Sequence, residues 1–179
     1  MERNNNLPKR KELRLQGYDY DTPGNYFITI VVQGGLNLFG QVVNHQMQLN
    51  DAGRMIDNTI KQIPLQYNEI DIPYKVVMPN HVHFIITLKG DTYLGEIIRK
   101  FKSYTTHLYM EGVKQKNWKR FNKKLWHHNY FDHIIRNQRA YDYIANYIYT
   151  NPLRWEKDAI NLSHDSDKDE IMKQVLAFG

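Results

Sequence analysis

His81 and His83 are two imidazoles one residue apart, placed directly after the turn-forming pair Pro79-Asn80 and inside a run of β-formers, Tyr74–Leu88. On a strand, side chains at i and i+2 share a face. The two rings therefore project together, and two imidazoles on one sheet face can grip a single metal ion. Val82, Phe84, Ile86 and Leu88 take the other side, toward the core. Taken alone, such a pair more often means two partly exposed strand histidines. Farther along, Tyr143, Tyr147 and Asn151 are spaced i, i+4, i+8 and line one face of a helix. Ile144 and Ile148 sit on the adjoining face, which can bury against a sheet. Pro152 is expected to end that helix, because proline disfavours α geometry in the residue before it. A helical tyrosine by itself is more often packing with its hydroxyl in water.

The elements that must position these groups can be read in order. Asn25–Val32 is a strand of β-formers, and Gly34-Gly35 breaks it. Phe39–Val43 and Met47–Leu49 read as a short hairpin around Asn44-His45-Gln46. Asn50 or Asp51 can cap a helix whose Met55, Ile56, Thr59, Ile60 and Ile63 follow the spacing of a buried stripe, with Pro64 near its end. Strands Ile70–Val77 and His81–Leu88 come next. A second helix follows, roughly Thr92–Met110, with Leu94, Ile97, Ile98, Phe101 and Leu108 as its apolar face. A basic loop, 111–125, leads into Leu125–Arg136, which is expected to end in a short strand, and Asn137 can cap a last helix, Gln138–Asn151. Strand, helix, strand, strand, helix, strand or loop, helix predicts an α+β fold: an antiparallel sheet with packed helices, as in ferredoxin-like folds.

Composition narrows the chemistry. The chain has 179 residues and no cysteine, which excludes disulfides, thiolate metal sites and cysteine nucleophiles. No apolar run approaches the length of a membrane span, and residues 1–6 carry no signal-like apolar stretch, so a cytoplasmic location away from membranes is expected. Net charge is +5, but Glu156–Gly179 holds three Lys against six Asp or Glu, leaving +8 on residues 1–155. A basic body with 13 Tyr, 7 Phe and 3 Trp offers cations for phosphates and rings for unstacked bases. The densest such stretch is 111–125, where Lys119, Arg120, Lys123 and Lys124 interleave with Trp118 and Phe121. Arg99, Lys100 and Lys102 flank the stripe of the second helix, and Arg136 follows the short strand.

Three ordered motifs together carry a resemblance: Met78-Pro79-Asn80-His81-Val82-His83, then Trp126 with Tyr130-Phe131-Asp132-His133-Ile134-Ile135-Arg136-Asn137, then Tyr147-Ile148-Tyr149-Thr150-Asn151-Pro152. They resemble the HUH single-tyrosine transposases, most closely the branch of REP-associated tyrosine transposases, over roughly residues 18–158. The resemblance implies the HUH nuclease fold in a catalytic domain over 25–155, while charge alone marks off a basic arm at 1–24 and an acidic tail at 156–179. It implies a metal-dependent nuclease and strand transferase acting on single-stranded or hairpin DNA, working as a monomer or a homodimer. His81 and His83 match the family's metal pair, Tyr147 its nucleophile, and Asn151 the place of a third, polar ligand. Arg99, Lys102, Lys119, Arg120, Lys123, Lys124 and Arg136 are the candidate DNA contacts.

Such a donor set suits an open site for Mg²⁺ or Mn²⁺, completed by phosphate and water, and Zn²⁺ could occupy it in a crystal. A phenol of pKa ~10 is a poor nucleophile at neutral pH, so polarisation of the scissile phosphate by a cation is needed for attack. The chain departs from the family at His127-His128, where close relatives carry Gln-Arg, and the acidic tail matches no motif. Two other readings stay open: a non-catalytic nucleic-acid-binding module of the same fold, and a phosphohydrolase using a metal-bound water.

Overall fold

The computed structural model describes residues 22–90 and 92–157. Most of the expected basic arm (1–21) and of the acidic tail (158–179) lies outside the described residues. The elements are β1 (Gly24–Val31), β2 (Gly40–Val43), β3 (Gln46–Leu49), α1 (Asp51–Gln66), β4 (Ile70–Val77), β5 (His81–Leu88), α2 (Leu94–Lys116), β6 (Phe131–Ile135) and α3 (Gln138–Arg154), followed by a short 3-10 helix, Trp155–Lys157.

β4, β5, β1 and β6 form one sheet in that spatial order, every neighbour antiparallel. α1 lies between β1 and β4 in the chain, and α2 lies between β5 and β6. Both cover the same face, so the βαββαβ core has the ferredoxin-like order with α3 added on the opposite face. Alternation along the strands divides the core accordingly. Tyr26, Ile28, Ile30, Val82, Phe84, Ile86 and Leu88 pack with Ile56 and Ile60 of α1 and Ile97, Ile98 and Phe101 of α2. Phe27, Ile85 and Ile135 pack instead with Ala140, Ile144, Ala145 and Ile148 of α3. Burying each large apolar side chain contributes roughly 1.5–3 kcal/mol, so a strand with two apolar faces needs helices on both.

Local chemistry fixes the joints. Asn44 and His45 both have positive φ, as a two-residue hairpin between β2 and β3 requires. Asn50 caps α1 by accepting the Gly53 N–H at 2.8 Å and donates to the Leu38 carbonyl at 2.9 Å, which ties the hairpin to the helix start. Asn137 caps α3 through the Ala140 N–H at 2.8 Å.

Three expectations are corrected. α2 continues six residues past Met110, to Lys116, so 111–116 belongs to the helix and the basic loop spans 117–130. Asn117 in the left-handed region ends it, with the Trp118 N–H returning to the Gly112 carbonyl at 3.2 Å. Along that helix Tyr109, rather than Leu108, is the fully buried residue. Pro152 does not end α3: the helix holds α geometry through Asn151 and runs to Arg154. A proline in the last turn removes one hydrogen bond, and burial of Asn151 and of Trp155 beyond it holds the chain in register.

Candidate active site

β5 presents His81 and His83 on the α3 face of the sheet, the face opposite Val82 and Phe84. The simple picture of partly exposed strand histidines is corrected here, because both are 0% exposed. α3 and the 3-10 helix after it form the roof. The ring centroids of His81 and His83 are 4.5 Å apart.

Each ring is oriented by a neighbour through Nδ1. Asn80 Nδ2 donates to the Gly35 carbonyl at 3.2 Å, which turns its Oδ1 toward His81 Nδ1, 2.8 Å away. An amide oxygen only accepts, so Nδ1 of His81 carries the proton, and in the neutral ring Nε2 keeps a lone pair. His83 Nδ1 lies 2.8 Å from the Thr29 hydroxyl across the β1–β5 pairing. Its Nε2 is buried and makes no hydrogen bond. Burial, and secondarily the charge of His81, holds the His83 pKa well below the usual imidazole range. A neutral imidazole with a buried lone pair is what a metal ligand requires.

Tyr147 projects from α3 against this pair. Its ring meets His83 edge-on at 5.4 Å and Phe27 at 6.1 Å, and it is half-buried. Eight residues on, the indole of Trp155 stacks on His81 at 6.0 Å with 30° between the planes. Asn151 lies between them on the same helix stripe and is fully buried. Among the described residues no third His, Cys, Asp or Glu joins the histidines in a metal-sized cluster. The two imidazoles, with the Asn151 amide buried on the α3 side, are the groups that could hold a divalent cation in a site left open to other ligands. One chain supplies the histidine pair and the tyrosine together.

The expected DNA-contact residues are spread over the surface. Lys119, Arg120, Lys123 and Lys124 are exposed on the 117–130 loop. That loop meets the histidine end of the sheet: Leu125 O accepts from Gln33 N–H and Val31 O accepts from His127 N–H, both at 2.8 Å, and Val31 pairs with His81. Arg99 is exposed on α2 and borders an open groove with Tyr93, Glu96 and Tyr130. Arg136 is exposed at the far end of the sheet, where Ile135 pairs with Asn25. Lys102 is not a free surface cation: its Nζ donates to the carbonyls of His127 at 2.7 Å and His128 at 2.9 Å. His133 is buried on β6, its pKa lowered by burial and then by Arg136. Thr29, Asn80 and Trp155 went unassigned in the sequence. Thr29 left a trace as a hydroxyl in an apolar strand, and Trp155 as the next position, four residues on, in the Tyr147–Asn151 series.

Comparison with known proteins agrees with this geometry. The family described as "Transposase IS200 like" matches residues 42–151. An uncharacterized protein of Haemophilus influenzae is 34% identical over 182 residues, covering 88% of this chain and 96% of its own. A REP-associated tyrosine transposase of Escherichia coli is 34% identical over 85 residues, 46% of this chain and 45% of its own. A solved REP-associated tyrosine transposase bound to a REP hairpin shares the fold, with a TM-score of 0.55 and 24% identity over 79% of this chain and 74% of its own. With the family's pattern spanning the hairpin, the histidine strand and the tyrosine helix, the chain belongs to the IS200-like transposases, a family that includes HUH single-tyrosine enzymes of the REP-associated kind.

Proposed function

We propose that the chain is a metal-dependent endonuclease and strand transferase for single-stranded or hairpin DNA, with Tyr147 as nucleophile. The observation that carries this reading is the ring contact between Tyr147 and His83 within one chain. A binding module would need neither group. His81, His83 and Asn151 would hold a divalent cation, Mg²⁺ or Mn²⁺, and Asn80 and Thr29 would keep the imidazoles aimed. When bound, the cation would neutralise charge on the scissile phosphate and polarise it toward attack.

Tyr147 Oη then forms a bond to phosphorus as the bond from phosphorus to the 3′-oxygen breaks. The phenolic proton passes to solvent, and the departing 3′-oxygen takes one up. The product is a 5′-phosphotyrosine ester and a free 3′-hydroxyl. Because the ester keeps the energy of the broken diester, a second 3′-hydroxyl can reverse the step and join strands. The exposed cations of the 117–130 loop would guide the strand by its phosphates, with Arg99 on α2 as a more distant contact.

A labelled single-stranded hairpin oligonucleotide taken from the gene's own flanking DNA, incubated with protein and Mn²⁺ and run on a denaturing gel, tests the reading. A covalent protein–DNA band that disappears with Tyr147→Phe and with chelator is expected. Cleavage that persists in Tyr147→Phe without such a band would establish a hydrolase instead. Binding with no cleavage would establish a binding module.

A further inference from the structure

The sheet position beyond β1 is shared by two segments. β6 pairs with residues 25–29 of β1, and above it Trp126 forms an antiparallel bridge with Val32. Trp126 packs into the α1/α2 core beside Phe39 and Phe101. The next residue, His127, therefore turns to the other face, where directly opposed residues of an antiparallel pair share a side. Its N–H bonds to the Val31 carbonyl at 2.8 Å, and Val31 in turn pairs with His81. His127 thus lies beside Val31, the partner of His81, just outside β6, and Phe131, Thr29 and His83 form the paired row beneath. With strands spaced ~4.8 Å, the His127 backbone is about 10 Å from that of His81. His127 is half-exposed.

The backbone that carries His127 is held from the α2 side. Lys102 donates to the carbonyls of both His127 and His128. The loop leaves the sheet at this point, and the Lys102 ammonium ties its carbonyls to α2. Burial and the nearby Lys124 lower the Lys102 pKa to about 8. Holding a partly buried ammonium there is costly, and its two short bonds offset that cost by fixing the loop.

We infer that His127 is a substrate-contact residue, donating a ring N–H to a phosphodiester adjacent to the one cleaved at Tyr147, and that Lys102 is the positioning residue that sets it. The inference rests on the DNA-cleaving reading above. The basic residues 119–124 lead toward the same edge, so a strand crossing from that loop to Tyr147 passes over His127.

The test uses the full-length protein and the hairpin oligonucleotide of the trapping assay, with single methylphosphonate linkages replacing phosphates one at a time. Wild type is expected to lose about tenfold in kcat/KM, or ~1.4 kcal/mol, when one linkage within two nucleotides of the cut is neutralised. His127→Ala is expected to lose a similar factor on the natural strand and to become insensitive at that one linkage. His127→Gln, which keeps an N–H donor, should restore part of the sensitivity. Lys102→Met should weaken the same linkage's effect, with Lys102→Arg restoring it, whereas Lys124→Met should raise KM without singling out a linkage. Circular dichroism verifies that each variant is folded, and the half-exposed His127 variants carry the conclusion should Lys102→Met unfold. His127→Ala cleaving like wild type with an unchanged scan would overturn the inference and leave the proposed function intact. Failure of wild type to form the covalent band would remove both.

Discussion

The Thr29 hydroxyl on β1 and the His83 Nδ1 on β5 lie 2.8 Å apart in a fully buried contact, so the orientation of a candidate metal ligand is set by the strand beside it. Groups that orient a ligating histidine typically matter 10–100-fold in metal affinity. Thr29→Val keeps the shape and removes the partner. The expected result is Mn²⁺ binding weakened about tenfold, measured by calorimetry, with a stability loss of ~1–3 kcal/mol from the unsatisfied nitrogen. Unchanged affinity would mean that packing alone aims the ring.

Trp155 covers His81 from the end of α3. Trp155→Ala removes a buried indole and is expected to cost ~3–5 kcal/mol in denaturant unfolding. Trp155→Phe, which keeps a ring in the same place, should retain most of the stability and of the Mn²⁺ affinity. Equal behaviour of the two variants would show that the stacked face is not what matters.

His133 gives a pH dependence of known sign. Burial first, and Arg136 second, lower its folded pKa below the ordinary value of 6.5. Below about pH 6.5 the unfolded chain therefore binds a proton that the folded chain resists. The stabilisation is fully present above that pH and is lost as pH falls toward the folded pKa. The buried, neutral His83 acts in the same direction. Thermal melts at about pH 7.5 and about pH 5.5 should show lower stability in acid, with a smaller difference in His133→Asn than in wild type.

Gly112 is the point where α2 meets the loop. A Cβ there would overlap the body of the Trp118 ring, which packs at 5.3 Å on Tyr109. Gly112→Ala gains helix propensity but must displace an indole, so a net loss of ~1–3 kcal/mol is expected. Hydrogen exchange should quicken over 117–126, and DNA affinity should fall, if Trp118 is what seats the basic loop.

Lys102 should titrate apart from the other lysines. After reductive ¹³C-methylation, one dimethyl-lysine resonance is expected to move at about 8, and it should be missing in Lys102→Arg. A single cluster of resonances near pH ~10.4 would show that the ammonium is in water and the loop is held by something else.

Periodicity carried much of the fold. The strands at 70–77 and 81–88, the first strand to within one residue (25–32 against 24–31), the cap Asn137, the choice of Asn50 or Asp51 as the other cap, and the apolar stripes of α1 and α3 were all legible, because strand-forming runs and i, i+4 spacing are local properties of the chain. Local signals failed where tertiary packing outweighed them. Lys114 and Lys116 looked like loop, yet they extend α2, because Tyr109 and Gly112 bury against Trp118. Pro152 looked like a terminus, yet Trp155 draws the helix onward to His81.

For the site, sequence alone put His81 and His83 on one strand face and Tyr147 and Asn151 on one helix face, and the order of motifs pointed to the family. It could not say that the two faces meet, since that depends on α3 packing on the side of the sheet opposite α1 and α2. Nor could it reveal that Thr29, Asn80 and Trp155 contact the imidazoles, or that His127 lies beside Val31, the strand partner of His81. Those relationships join residues distant in the chain, and only strand register and helix packing bring them within reach of one another.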